Sequence, residues 1–464
     1  MADPDRDPAP GSSPPPGGFR TFLLLWSTQT LSLFGTVMTW FAVNVWLTRE
    51  VYPAPGQKAA LALGLTATTV ALTAPMILLM PIAGAFADRH DRRRTMLIAN
   101  LASTAITAAL LALVAAQRLS LGPAVALLAA YAAAASFHNA SFDSGYALLV
   151  PQPQLARATA LMQTSYALSQ LLSPGLAAAL IAVPALARAG GWPAPWLTRL
   201  ASGVPFAFGA DGVTFAIAAA ALLFVRLPAA PRAAGAPRRS LWGDVHEGLA
   251  WILRRPPMLW LIGIGSLANL TIAPLMVLLP VLVRDRLGLD LARHHLAYEA
   301  GLAIANTAAG LGGVAGGVLV SVWGGLRTRR VHGMVLALVC IGLGELASGL
   351  ATTLVGCAAG LMFADLFVPF LNSSSFTLWQ GVTPPAMLGR ALAVRRFIAQ
   401  SAYPVGTAIA GWLAVGIAPW RVVSAAGALL AVACALQLAL PGFATLEQRM
   451  LASAAAPPAD PVSG

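Results

Sequence analysis

Four carboxylic acids stand inside long apolar runs of this chain: Asp143, Asp211, Glu345 and Asp365. An ionised side chain at the centre of a membrane-spanning helix costs about 2.5–3.5 kcal/mol or more, so an acid kept there has a task. It can take up and release a proton, or it can hydrogen-bond a neighbouring helix. Asp365 is the leading candidate for proton coupling, with Asp143 next. Asp211 and Glu345 are further candidates, and for them the inter-helix hydrogen bond is the simpler reading.

Other polar groups fall at helical spacings near these acids. Ser136, Asn139 and Asp143 lie at i, i+3 and i+7, and Asp365 and Asn372 at i and i+7, each set on one face of a helix. His138 lies off that stripe and reads as a buried imidazole. An earlier run carries Gln29, Ser32, Thr36, Thr39 and Asn44, and a later one Asn269 and Thr271. Between two apolar runs sits GAFADRHDRRR, Gly84–Arg94, with seven ionisable groups in eleven residues.

The elements that position these residues follow from composition. Hydrophobic residues make up 58% of the 464 and charged residues only 10%, where soluble domains run near ~45–50% and ~25%. Mean hydropathy is +0.74. This is the signature of a polytopic membrane protein. A spanning helix needs roughly 20 apolar residues, and twelve such runs are expected. The first six are 22–48, 61–87, 95–116, 122–149, 158–184 and 205–226; the others are 257–283, 300–324, 331–352, 354–381, 392–416 and 420–441. The runs are continuous and do not alternate, which excludes a β-barrel.

The net charge of +12 comes from 29 Lys+Arg against 17 Asp+Glu. Nucleic-acid binding is not the reading, because loops on the cytoplasmic side of a membrane collect Arg and Lys. With the N-terminus inside, 20 of the 29 fall on the cytoplasmic side, so both termini are expected there. The leading segment 1–19 is Pro-rich and expected to be disordered, as is 443–464. The first apolar run is expected to remain as a span. Cys340, Cys357 and Cys434 all sit in apolar runs and form no disulfide or metal pattern. His294 and His295 are a loop doublet. No phosphate-binding G-x-x-x-x-G-K-[ST] or H-E-x-x-H occurs, so no cofactor and no metal are expected.

The two sets of six runs repeat. A shift of 233 places Arg157 on Arg390, Gly84 on Gly317 and Asn139 on Asn372. The expected organisation is a six-helix half over 20–226, a linker over 227–256 and a second half over 257–442. Within the linker, Leu241, Trp242, Val245, Leu249 and Ile252 fall at helical spacing. Asp244 and Glu247 come early and Arg254 and Arg255 late, which suits an amphipathic helix on the inner membrane face. Binding of a partner is the alternative. Gly310, Gly312, Gly313, Gly316 and Gly317 read as a close-packing surface.

Gly84, Asp88, Arg89, Arg92 and Arg93 form G-x-x-x-D-R-x-x-R-R, which resembles the signature loop of the major facilitator superfamily. With the twelve runs, the repeat and the linker, the resemblance covers about residues 20–442. It implies an all-α fold of two six-helix halves in the bacterial plasma membrane, a carrier rather than an enzyme, and alternating access. It further implies that Asp88 latches onto the helix start near Gly389 and Arg390. Spans one, four, seven and ten would line the cavity, making Gln29, Thr36, Asn44, Asn139, Asn269 and Asn372 candidates for substrate contact. The phrases "FLLLWSTQTLSLFGTVMTWFAVNVWL", "ADGVTFAIAAALL" and "LWGDVHEGLAWILRRPPM" resemble exporters of the macrolide-efflux and enterobactin-exporter type.

At the span-five antiporter motif the glycines are replaced by Ala160, Ser169, Ser173, Ala177 and Ala178, around Pro174. Direction of transport is therefore open. The expected protein is a monomeric, proton-coupled exporter of amphipathic drug-like or siderophore-like molecules. The alternatives are an uptake carrier, a lipid flippase, or a membrane receptor or enzyme.

Overall fold

The computed structural model describes residues 18–151, 154–225, 227, 241–323, 326, 328–384, 387–440, 443, 445–448 and 450. Most of both expected tails, residues 228–240 of the linker, and the side chains of Leu241, Trp242, Asp244 and Val245 lie outside the described residues. The regular structure of the described residues is helical and includes no strand, as backbone in hydrocarbon requires.

The helices are α1 (Gly18–Trp46), α2 (Lys58–Arg89), α3 (Arg92–Ala115), α4 (Leu121–Leu149), α5 (Leu155–Ala189), α6 (Pro195–Thr198), α7 (Val204–Phe224) and α8 (Leu241–Leu253). They continue as α9 (Pro256–Asp285), α10 (Gly288–Arg293), α11 (Tyr298–Trp323), α12 (Arg330–Leu350), α13 (Leu354–Val382), α14 (Leu388–Gly416) and α15 (Pro419–Leu438). Eleven of the described helices are long and apolar enough to cross a membrane. The run expected as the eleventh of twelve spans is the helix α14, which falls short on hydropathy. Arg390, Arg395 and Arg396 crowd its first turns.

The chain forms two compact units. Unit 1 is Met1–Ala42 with Pro75–Arg238, and unit 2 is Val43–Ala74 with Arg239–Gly464. Both α1 and α2 are shared between units. In α2 the division falls at Pro75, which lacks the N–H that would bond the Ala71 carbonyl.

In unit 1, α3 packs on α4 and α7, and α5 on α7. At one end Phe22, Leu25, Met96, Phe142 and Leu222 form a buried cluster.

Unit 2 is held by small residues. Gly312 and Gly316, one turn apart on α11, press on the backbone carbonyls of Met362 and Leu366 on α13. A Cβ at either glycine would collide with that backbone, whereas Gly313 and Gly317 meet nothing within 4 Å. Gly342 of α12 packs in the same manner on Gly427 and Ala431 of α15. Lipid tails are as apolar as the interior, so such close approach supplies the helix-packing energy that exclusion of water supplies elsewhere.

Helix ends in unit 2 are closed by charge. Asp290 and Thr353 accept the N–H groups of Leu354 and Gly356 at the start of α13 (2.8 and 3.2 Å). Arg286 donates to the Ala351 and Leu350 carbonyls at the end of α12 (2.7 and 2.8 Å). The turn after α1 belongs to this unit: Arg49 grips Glu299 through two bonds of 3.1 Å. Tyr298 donates to Thr48 (3.1 Å), and Arg284 donates to the Tyr52 carbonyl (2.8 Å). Linker helix α8 lies against α14, with Gly248 on the Arg390 backbone. Ile252 is buried among Met258, Val394 and Trp379, and Phe443 and Met450 complete the same core beyond α15.

Candidate functional site

In unit 1 the acid Asp211, on α7, is 0% exposed. Its Oδ2 accepts the hydroxyl of Thr39 on α1 at 2.7 Å. The other oxygen, Oδ1, has no hydrogen-bond partner and faces Gly35. A Cβ on Gly35 would lie 2.6 Å from both Asp211 Oδ1 and Thr214 Oγ1. Glycine is needed there because α1 and α7 approach closely at the acid. Tyr131 of α4 shares a 2.7 Å hydrogen bond with Thr36 and rests edge-on against Phe215, one turn past Asp211. The inter-helix hydrogen bond expected of Asp211 is therefore present. Tyr131 escaped sequence reading; its one signal is a lone hydroxyl in the run LLAAYAAAA.

The charged loop also lies in unit 1, and two of its arginines have structural partners. Arg93 donates to the Leu222 and Leu223 carbonyls (2.7 and 2.8 Å) and so caps α7. Arg92 donates to Ser144 on α4 (2.9 Å). Asp91, outside the signature pattern, is the N-cap of α3 and accepts the Arg94 N–H at 2.9 Å. A single Asp directly before a helical run was the readable sign of that cap. Asp88 is different: its side chain is 71% exposed and lies 3.7 Å from the Arg92 guanidinium. An ion pair so exposed contributes little to stability. Arg89 is exposed, and a Cβ on Gly84 would meet nothing within 4 Å. In unit 2, Arg390 pairs with Glu247 of the linker helix at 2.7 Å.

The second buried acid is Glu345 on α12, 1% exposed, with Oε2 lacking a hydrogen-bond partner. Asp365 on α13 is half-buried and lies within electrostatic reach of it. The fold thus brings together two of the four sequence candidates. In unit 1 Asn139 and Asp143 on α4 are exposed, and in unit 2 Asn372 on α13 is exposed. Ser136 of the same α4 stripe turns inward to the Met76 carbonyl (3.3 Å). Asn44 is buried in unit 2, Gln29 is half-buried with an unpartnered Nε2, and Asn269 bonds back to Gly265 (2.9 Å).

The model of the Major Facilitator Superfamily matches residues 25–367. The chain belongs to this superfamily. Among relatives, Macrolide efflux protein A of Streptococcus pyogenes is 22% identical over 413 residues, covering 87% of this chain and 92% of that one. The protein of the same name from Enterococcus faecalis is 23% identical over 340 residues, 72% of this chain and 95% of the other. Solved structures share the fold. A bacterial homologue of the human lysosomal transporter Spinster matches with TM-score 0.62 at 14% identity, covering 96% of this chain and 100% of the other. A POT family peptide transporter matches with TM-score 0.63 at 14% identity, covering 93% and 97%. This superfamily member is a multi-pass membrane carrier of small molecules and not an enzyme.

Proposed function

We propose that this protein exports amphipathic small molecules from the cell by alternating access, driven by protons moving inward. The observation that carries the reading is its likeness, along most of both chains, to relatives named for macrolide efflux. The polar residues in the spans fit a substrate with an apolar body and a few polar groups, siderophore-like compounds included. Gln29, Thr36, Asn44, Asn139, Asn269 and Asn372 are the proposed contacts. The protein works as a monomer of twelve spans, α14 included, with both termini in the cytoplasm.

Coupling is assigned to Asp365 first and Asp143 second, with Asp211 and Glu345 the next candidates should both prove silent. Protonation changes the charge that an apolar interior must accommodate, and so biases one conformation over another. Gly84, Asp88, Arg89, Arg92, Arg93 and Arg390 serve as the gating latch, with Asp88 as its working charge.

The test is transport of a labelled macrolide by proteoliposomes under an imposed pH gradient. Substrate movement against the proton flow, abolished by a protonophore, is the expected result. Movement in the same direction as the protons would make the protein an uptake carrier, and no response to the gradient would remove the coupling. Sidedness is checked by cysteines placed at Ala292 and Thr328 after removal of Cys340, Cys357 and Cys434. An impermeant thiol reagent on intact cells labels Ala292→Cys and spares Thr328→Cys; the reverse pattern inverts the topology.

A further inference from the structure

Helices α12 and α13 touch where Gly344 faces Gly360 and Ala364. A Cβ on Gly344 would lie 2.7 Å from the Gly360 carbonyl oxygen and 2.8 Å from the Ala364 Cβ. Glu345 follows the first of these contact residues and Asp365 the last, so the two residues stand at one level of the helix pair, within electrostatic reach of each other. From the other side α15 closes on Glu345: a Cβ on Gly427 would come within 2.6 Å of the Leu346 nitrogen and 2.9 Å of the Glu345 Cβ. Glu345 is therefore sealed by two helices, with an oxygen that no donor reaches. Asp365, half-buried, is the open side of the arrangement.

The other titratable groups on the packed helices do not neutralise the pair. Arg421 of α15 lies over the Trp420 ring, 5.2 Å from its centre. Arg284 at the end of α9 is engaged by its neighbour Asp285 (2.6 Å) and by the Tyr52 carbonyl. Cys357 of α13 and Cys434 of α15 are buried thiols without a disulfide. On α12 itself His332 rests against Phe443, Arg330 donates to the Leu326 carbonyl (3.3 Å) and Cys340 lies more than a turn away. Two ionised carboxylates within electrostatic reach in an apolar interior repel strongly, and among the described residues no cation pairs with either of them.

We propose that Glu345 and Asp365 form a single proton-binding site that always keeps one proton and cycles a second, so that its charge alternates between −1 and 0. This rests on the proton-coupled reading above and names its site. Asp365 exchanges the mobile proton with water: the O–H bond of its carboxyl breaks as a new O–H bond forms on an approaching water molecule, and the reverse step reloads it. Glu345 is the buried partner that sets how readily Asp365 gives the proton up. Because the two interact, their titration belongs to the pair and not to either residue alone.

The test is modification of the purified protein by a hydrophobic carbodiimide, which adds to protonated carboxyls, with the adducts located by mass spectrometry between pH 5 and 10. In the wild type Asp365 is expected to carry an adduct whose yield falls at least tenfold across that range, while the yield at Glu345 stays within twofold because the retained proton is there. In Asp365→Asn, Glu345 no longer faces a neighbouring negative charge, and its yield is expected to fall at least threefold by pH 10. The conservative Asp365→Glu should keep the Glu345 yield level, and Asp211→Asn should leave both profiles unmoved. A Glu345 profile in Asp365→Asn identical to that of the wild type would overturn the pairing, as would loss of both adducts together in the wild type. The assay needs no transport, so the pair can stand even if gradient-driven export fails. If export succeeds with Glu345 insensitive to Asp365, the pair fails and the export reading survives.

Discussion

Each unit hides a carboxylic acid in its apolar interior, and the two are treated differently. In unit 1 Asp211 is fully enclosed, bonded on one oxygen by Thr39, and pressed on the other side by Gly35. In unit 2 Glu345 is as deeply enclosed, but beside it stands a second acid, Asp365, that remains half open. A group that cycles a proton needs both a cost for its charge and a route to water. Asp211 has the first without the second. In the proposed Glu345–Asp365 pair the enclosed Glu345 supplies the cost and the partly exposed Asp365 the way out. The difference separates an acid that ties helices together from acids that can work, although sequence alone places all of them in similar apolar runs.

The comparison breaks most visibly in transport. Asp365→Asn cannot titrate, and we expect gradient-driven export to fall at least tenfold at equal protein amount, while energy-independent substrate exchange survives. Asp211→Asn keeps an acceptor for the Thr39 hydroxyl, so its export should stay within about threefold of wild type, roughly 0.7 kcal/mol. The opposite ranking, measured in proteoliposomes, would transfer the coupling role to unit 1. Asp143→Asn belongs in the same series, because Asp143 is exposed where Asp211 and Glu345 are enclosed.

Asp88 extends the contrast to an acid outside both interiors. Its neighbours Arg92 and Arg93 are engaged by Ser144 and by the end of α7, yet Asp88 itself is largely in the open. Asp88→Asn should therefore leave insertion and thermal stability unchanged but lower efflux several-fold. Efflux and protein amount are measured together, and wild-type efflux at normal expression would reduce Asp88 to an ordinary loop residue.

Much of this was legible from sequence, for a physical reason: continuous apolar runs of spanning length admit only helices. Helix existence, and four acids that call for explanation, follow directly. The partners of those acids do not. A soluble helix advertises its buried face through alternation with polar residues, but in lipid both faces are apolar and the signal fades. Nothing in the text near Asp211 points to Thr39, 172 residues away. Nor does Glu345 announce Asp365, because what joins them is the approach of Gly344 to Ala364, two small residues in a chain full of small residues. The division of α1 and α2 between units left one trace in the sequence, Pro75.

Stability sharpens the comparison on a smaller scale. Gly35→Val would push a branched side chain into Asp211 Oδ1, Thr214 Oγ1 and the Asp211 backbone, 2.9 Å from its Cα. Overpacking of this kind costs about 1–3 kcal/mol, which should appear as a lower apparent melting temperature in detergent. Gly313→Ala, whose Cβ meets nothing, is the control and should melt with the wild type. Equal melting of Gly35→Val and Gly313→Ala would mean that α1 and α7 do not depend on this contact.

Thr39→Val gives the smallest effect and the finest test. Valine matches threonine in shape but removes the hydroxyl, so Asp211 loses the bond to Oδ2 while Oδ1 is already without a partner. Stranding a buried acceptor costs about 1–3 kcal/mol when nothing else reaches it. The lower end applies here if Asp211 can rotate its carboxyl toward the neighbouring Thr214 hydroxyl, which now donates to the Asp211 backbone carbonyl (2.7 Å). The Thr214→Val, Thr39→Val double variant closes that escape, and its loss should exceed the sum of the two single losses, as coupled neighbours show. Export at equal protein amount should remain near wild type in all three variants, because the bond holds α1 to α7 and carries no proton. Near-additive losses of stability would mean that the two threonines serve Asp211 independently. A selective loss of gradient-driven export with stability intact would show instead that the enclosed acid of unit 1, and not the half-open pair of unit 2, moves the proton.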